Sequence, residues 1–196
     1  MPKTLVVYAT KDGHTAKIAY HVARAVRSLG CEVDVIRVVS KAAAIALDRY
    51  DGVIVGGPIH FGRHAKSLRR FIIEHRACLN EHPSAFFSAS LSAAGNEEQR
   101  DDAKRCLRAL LDRTQWQPRT TAIVAGALLY RQYGFLKRWL MRRVAEKAGG
   151  DVDVTRNHEY TNWRSLDRFA EIFVRALKTH GAIAVPDDVR PASTTI

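Results

Sequence analysis

No apolar run in these 196 residues approaches the ~20 residues that a membrane-crossing helix needs. Cysteine is scarce: Cys31, Cys78 and Cys106 lie far apart, odd in number and without a C-x-x-C pair. That spacing argues against structural disulfides and against a zinc site, leaving reduced thiols as the expectation. Neither G-x-x-x-x-G-K-S/T nor G-x-G-x-x-G occurs, which disfavours ATP or GTP chemistry and a Rossmann dinucleotide site. No helix-turn-helix, zinc-finger or RNA-binding aromatic motif is present, so nucleic acid is not expected as a partner. The run MPKTLVVYAT passes from one lysine straight into a strand pattern, unlike a signal peptide, and a cytoplasmic location follows as the expectation. Repeats and low-complexity tracts are absent. Acidic residues are also in short supply, 20 against 31 lysines and arginines, for a formal charge of +11. Such an imbalance points to an anionic partner: nucleic acid, an anionic membrane or an acidic small molecule.

The length suits one domain with a full hydrophobic core. TLVVYA (Thr4–Ala9) is an almost unbroken apolar run, as in a parallel strand covered on both faces. Ile18, Val22, Val26 and Leu29 then recur at helical spacing, and Gly30 supplies a stop. EVDVIR, an alanine-rich helix or turn through Leu47, and GVIVGG (Gly52–Gly57) follow. A helical stretch buries Leu68, Phe71, Ile72 and Leu79 before the strand SAFFSAS (Ser84–Ser90). A helix over about 97–112 buries Ala103, Leu107, Leu110 and Leu111, and TAIVAGAL (Thr121–Leu128) makes a fifth strand. A last helix, from Trp163 to about Lys178, buries Leu166, Phe169, Phe173 and Leu177. Strands alternating with helices predict an α/β, doubly wound, five-stranded parallel sheet with helices on both faces. The order 2-1-3-4-5 is the flavodoxin-like solution, with the ligand outside the strand C-termini. One domain over residues 1–180 is expected, with a basic insertion at 129–162 and a loose tail over 181–196. At the ligand edge lie three loops: Thr10–Thr15, Pro58–His64 and Leu91–Asn96.

The first loop, T-K-D-G-H-T, comprises Thr10, Lys11, Asp12, Gly13, His14 and Thr15 between a buried strand and an amphipathic helix. Gly13 allows a tight turn, the threonines offer hydroxyls, and the helix N-terminus adds partial positive charge, the needs of a phosphate site. The same residues also suit a plain strand–helix turn with a threonine cap. Asp12 either points away from an anion or bonds to the loop amides.

T-x-x-G-x-T after a first strand resembles the FMN phosphate loop of flavodoxins. More specifically, YATKDGHT, GGPIHFGRHAKSLRRFI, PSAFFSASLSAAG, QWQPRTTAIVAGALLYRQYGF and AGGDVDVTRNHEYTNW resemble the bacterial flavodoxin-like, menaquinone-dependent protoporphyrinogen IX dehydrogenases. The likeness runs from about Lys3 to about Leu177, and its Q-W-x-P and A-G-A-L-x-Y stretches are more specific than the phosphate loop. It implies FMN as cofactor, with the flavin ring between two loops. By position these are Pro58, Ile59, His60, Phe61 and Gly62, then Ser90, Leu91, Ser92, Ala93, Ala94 and Gly95. A flat ring needs flat or small neighbours and close backbone approach, which Gly62 and Gly95 permit. Phe61 and His60 are the aromatic candidates, and the second loop has none, which leaves a ring face open for a second substrate. His60 is a candidate proton donor or hydrogen-bond partner at the flavin edge; a solvated histidine is the plainer alternative. His60 and His64 have helical metal-ligand spacing but no Glu or Cys companion, and no metal site is expected.

Residues 134–148, G-F-L-K-R-W-L-M-R-R-V-A-E-K-A, put Leu136, Trp139, Leu140 and Val144 on one stripe among five cations. Such a helix either lies in a membrane interface or packs on the domain. Arg131, Arg138, Trp139 and Arg142 are candidates for contact with substrate or membrane, since a porphyrinogen carries two propionates that arginine can pair. The resemblance implies an enzyme that oxidises protoporphyrinogen IX and passes electrons to a membrane quinone, menaquinone or another, in haem biosynthesis. It would be a cytoplasmic protein held at the inner face of the cell membrane, with homo-oligomerisation left open. A single-electron flavodoxin shuttle and an NAD(P)H:quinone reductase are the alternatives.

Overall fold

A computed structural model describes residues 1–39, 45–128 and 158–183. Strands β1 (Lys3–Tyr8), β2 (Glu32–Arg37), β3 (Gly52–His60), β5 (Ser84–Ser90) and β6 (Thr120–Ala125) form one parallel sheet. Their spatial order is β2-β1-β3-β5-β6, the flavodoxin-like arrangement. The short β4 (Arg63–His64) pairs antiparallel with β3. Helices α1 (His14–Ser28), α2 (Lys66–Glu74), α3 (Arg76–Glu81), α4 (Glu97–Thr114) and α5 (Trp163–Ile183) connect and cover the sheet.

Side-chain alternation along the strands divides the core in two. Val6, Ile54, Ala85 and Phe87 face α1 and α5, meeting Ile18, Val22, Val26, Phe169 and Phe173. Leu5, Val7, Val53, Val55 and Phe86 face α2, α3 and α4, meeting Leu68, Phe71, Leu79, Leu107 and Trp116. Burial on both faces is why β1 and β3 read as apolar runs rather than alternating patterns. Each fully buried Leu or Phe stabilises the fold by about 1.5–3 kcal/mol, so the four buried side chains of α5, Leu166, Phe169, Phe173 and Leu177, hold that helix down.

Several boundaries differ from the sequence reading. Pro58–His64 is a hairpin rather than a loop: β3 runs to His60, Phe61 and Gly62 turn, and β4 returns. Phe61 (φ 50°) and Gly62 (φ 72°) are both left-handed, as a two-residue hairpin turn matching strand twist requires. Pro58 is tolerated in β3 because the β1 register ends at Gly56, so the strand is an edge on that side. The single helical stretch expected after the hairpin breaks at His75, whose Nδ1 donates to the Phe71 carbonyl at 2.9 Å and competes with the backbone ladder. The fifth strand stops at Ala125; Ala127–Leu128 (β7) instead pairs antiparallel with His158–Glu159 (β8). Helix α5 continues to Ile183 rather than ending near Lys178. Leu111 is only partly buried. The alanine-rich residues 40–44, most of the 129–162 insertion and the tail from 184 lie outside the described residues.

Candidate functional site

Because the five strands are parallel, the segments following β1, β3 and β5 emerge at one sheet edge, with β3 between the other two. Thr10–Gly13 forms the turn between β1 and α1, and His14 and Thr15 begin the helix. Gly13 is left-handed at φ 88°, with open space where a Cβ would stand. Its N–H donates to Thr10 Oγ1 at 3.0 Å, closing the turn. The loop is held from behind, since Ala9 N–H donates to Gly56 O at 2.9 Å and an Arg37 guanidinium nitrogen to Thr10 O at 3.3 Å.

Helix α1 has no side-chain cap and no acidic residue in its first turn. Its leading N–H groups therefore keep the partial positive charge that an anion answers. This uncapped terminus fits the phosphate of an FMN. Thr15 is buried and Lys11 exposed, with Asp12 and His14 half-buried.

One further strut ties this loop to the segment after residue 157. His14 Nε2 hydrogen-bonds to Thr161 Oγ1 at 2.8 Å, and Thr161 Oγ1 donates to Ala125 O at 2.8 Å. Lys17 pairs with Glu159 at 2.6 Å and lies over the Trp163 ring. Burial pushes the His14 pKa below the usual histidine value, with Glu159 opposing and Lys17 assisting that shift. The ring is thus neutral at neutral pH and acts at the loop as a hydrogen-bonding spacer. The meeting of Glu159, Thr161 and Trp163 with His14 and Lys17 joins positions more than 140 apart, which no local pattern reveals.

At the expected ring loops, Pro58, Ile59 and His60 belong to β3, and Phe61 and Gly62 form the hairpin turn. Phe61 is 88% exposed, a large apolar side chain held at positive φ at a site edge, where strain commonly marks function. The hairpin is pinned twice: the Cys106 thiol donates to Gly62 O at 3.2 Å, and His64 Nε2 hydrogen-bonds to the buried Ser88 Oγ at 2.9 Å. Burial pushes the His64 pKa down to about 4. His60 faces Arg63 in the hairpin register and His64 faces Ile59, so the two histidines do not share a helical face.

Ser90 ends β5, and Leu91–Ala94 forms one 3-10 turn capped by Ser90 Oγ, which accepts from Ala93 N–H at 3.2 Å. Gly95 has negative φ, and a Cβ there would strike the Gln99 side chain. Gln99 is occupied in a capping box with Asn96 at the start of α4. The Gln99 side chain is thus one neighbour that this glycine accommodates. Trp116 of the Q-W-x-P stretch is structural: fully buried, its Nε1 donates to Ser84 Oγ at 3.0 Å. Arg131, Arg138, Trp139 and Arg142 lie outside the described residues.

Residues 5–155 match the model of the Flavodoxin domain family. Among curated proteins, the chain is 32% identical over 168 residues to the protoporphyrinogen IX dehydrogenase [quinone] of Escherichia coli strain K12, covering 86% of this chain and 92% of that one. It is 31% identical to the protein of the same name from Leishmania major, over 100% of this chain and 81% of that one. Among solved structures, oxidised flavodoxin 2 from Bacillus cereus superposes with a TM-score of 0.54 at 18% identity, covering 88% of this chain and 98% of that one, a likeness of fold. Sheet order, phosphate-type turn and near full-length relatedness agree: the chain belongs to the flavodoxin domain family and, within it, to the protoporphyrinogen IX dehydrogenases [quinone].

Proposed function

We propose that this protein is an FMN-dependent enzyme that oxidises protoporphyrinogen IX to protoporphyrin IX and passes the electrons to a quinone. The relatedness to the Escherichia coli enzyme over 92% of its length carries this reading, and the uncapped N-terminus of α1 beside Gly13 supports its cofactor. Thr10, Gly13, His14 and Thr15 hold the phosphate through hydroxyls and N–H groups, with Lys11 and Asp12 shaping the turn. The hairpin residues Pro58 to Gly62 and the turn Ser90 to Gly95 flank the ring.

FMN supplies the redox chemistry, accepting electrons in pairs and handing them to the quinone. The chain itself needs no nucleophile; its work is to bind, orient and shield. Phe61 offers an apolar face to a flat substrate, and His60, at the end of β3, is the group placed to hold a proton at the ring edge. Backbone dipoles and hydroxyls are the groups assigned to the phosphate there.

The reading extends to location. No described helix is long and apolar enough to cross a membrane, yet the acceptor is lipid-soluble and the chain carries +11. Peripheral attachment to an anionic inner membrane face, through residues 134–148, reconciles the two. A single-electron shuttle is the weaker reading, because so cationic a surface would repel basic docking faces.

The test uses purified, FMN-loaded protein with protoporphyrinogen IX and a menaquinone analogue, following porphyrin fluorescence. Porphyrin formation well above autoxidation, dependent on quinone, is expected. Autoxidation-level rates together with brisk NAD(P)H oxidation would overturn the reading in favour of a cytosolic quinone reductase.

A further inference from the structure

On the side of the β3–β4 hairpin that faces α4, Arg63 from β4, Arg69 from α2 and Arg113 from α4 line a cleft of about 40 Å³ together with Gly62, Cys106 and Leu110. Cys106, Leu110 and Arg113 follow at helical spacing on one face of α4. The Cys106 thiol, bonded to Gly62 O, holds the hairpin to that face. Among the described residues, no acidic side chain lines the cleft.

On the same helices Arg70 pairs with Glu74 and Arg105 with Asp102. Among the described residues, Arg63, Arg69 and Arg113 make no ion pair or side-chain hydrogen bond. Arg69 is half-buried, whereas Arg63 and Arg113 are exposed. His64, also lining the cleft, is neutral at working pH and adds neither charge nor repulsion. The volume suits one compact anionic head in place of about three or four waters, since each water needs roughly 10–15 Å³ of such space. A tetrapyrrole ring is far too large to enter.

We propose that Arg63, Arg69 and Arg113 form a carboxylate-binding cleft that takes a propionate of the acidic tetrapyrrole while its ring lies across the exposed Phe61 of the same hairpin. This rests on the substrate reading above. Arginine forks pair carboxylates bidentately, and the cleft and Phe61 share one rigid two-residue turn. Seating the propionate therefore fixes the ring relative to the flavin loop. The cleft acts in binding and orientation and takes no part in electron transfer.

The test measures binding of protoporphyrin IX and of its dimethyl ester to the FMN-loaded protein, by fluorescence anisotropy in mild detergent. The diacid should bind about 10–100-fold more tightly than the ester, the range of hydrogen bonds to a charged group. That preference should vanish in a variant combining Arg63→Gln, Arg69→Gln and Arg113→Gln, and persist in Arg70→Gln and Arg105→Gln. Arg69→Lys with Arg113→Lys, which keeps the charge and loses the fork, should retain only part of it. FMN affinity reports whether each variant is folded and should not change. Undiminished diacid preference in the triple-Gln variant, or equal binding of diacid and ester by the wild type, overturns the cleft and leaves the dehydrogenase reading standing. Loss of phosphatidylglycerol-vesicle binding in that variant with diacid preference intact also overturns it, assigning the arginines to lipid phosphate. A wild type that neither binds the porphyrin nor turns over the porphyrinogen overturns both readings together.

Discussion

Thr15 shows how little a single position declares about its role. Its side chain is buried at the first turn of α1 beside a left-handed Gly13, and the helix end it serves lacks a cap. A hydroxyl there serves an anion or nothing at all, because the backbone ladder has started without it. Thr15→Val conserves shape and removes only the donor. It should weaken FMN binding by about tenfold or more, the scale of one hydrogen bond to a charged group. Riboflavin, which has the ring but no phosphate, should bind wild type and variant equally. Titration of flavin fluorescence measures both, and an equal loss for the two ligands would move Thr15 out of the phosphate site. Gly95 sits in the turn after β5, where a Cβ would meet the Gln99 side chain.

The β3–β4 hairpin is the element on which the site turns. It carries Phe61 at its tip and Arg63 on its return strand, and it is anchored to α4 by Cys106 and to β5 by His64. The buried His64 makes that anchoring sensitive to acid. Its folded pKa, about 4, lies below the unfolded value of roughly 6.5, so between those values the unfolded chain binds the extra proton. Stability is therefore full above about pH 6.5 and falls as pH drops toward 4, by about 3 kcal/mol in all for this group. Urea denaturation of wild type against His64→Gln across that range should show a difference between the two curves that shrinks with acidification. Parallel curves would mean that His64 is accessible to protons in the folded protein. The surface pair Lys17–Glu159, by contrast, contributes at most about 1 kcal/mol; its value lies in tying β8 to α1.

For the whole molecule, charge is the property that separates this protein from a soluble electron shuttle. A formal +11 acts over about 8–10 Å at physiological salt, so attraction to an anionic surface must be strong in dilute buffer and weak in concentrated salt. Co-sedimentation with phosphatidylglycerol vesicles should be extensive at low salt and fall steeply as salt rises, whereas neutral phosphatidylcholine vesicles should retain little protein at any salt. Equal binding to both would rule out the electrostatic attachment. The layered α/β fold was legible from sequence because each element carries its own period: apolar runs in β1 and β3, helical spacing in α1 and α5. The turn between β1 and α1 was legible too, being a contiguous stretch, Thr10–Gly13, between two such elements. The hairpin was not, since Pro58 and Gly62 read as breakers until the pairing of β3 with β1 is seen to end at Gly56 and free that edge. Nor were the His14–Thr161 strut and the convergence of Arg63, Arg69 and Arg113, which are contacts between elements far apart in the chain. Local periodicity follows from backbone geometry and is written residue by residue; the meeting of distant side chains depends on how packed layers bring strand ends and helix faces together.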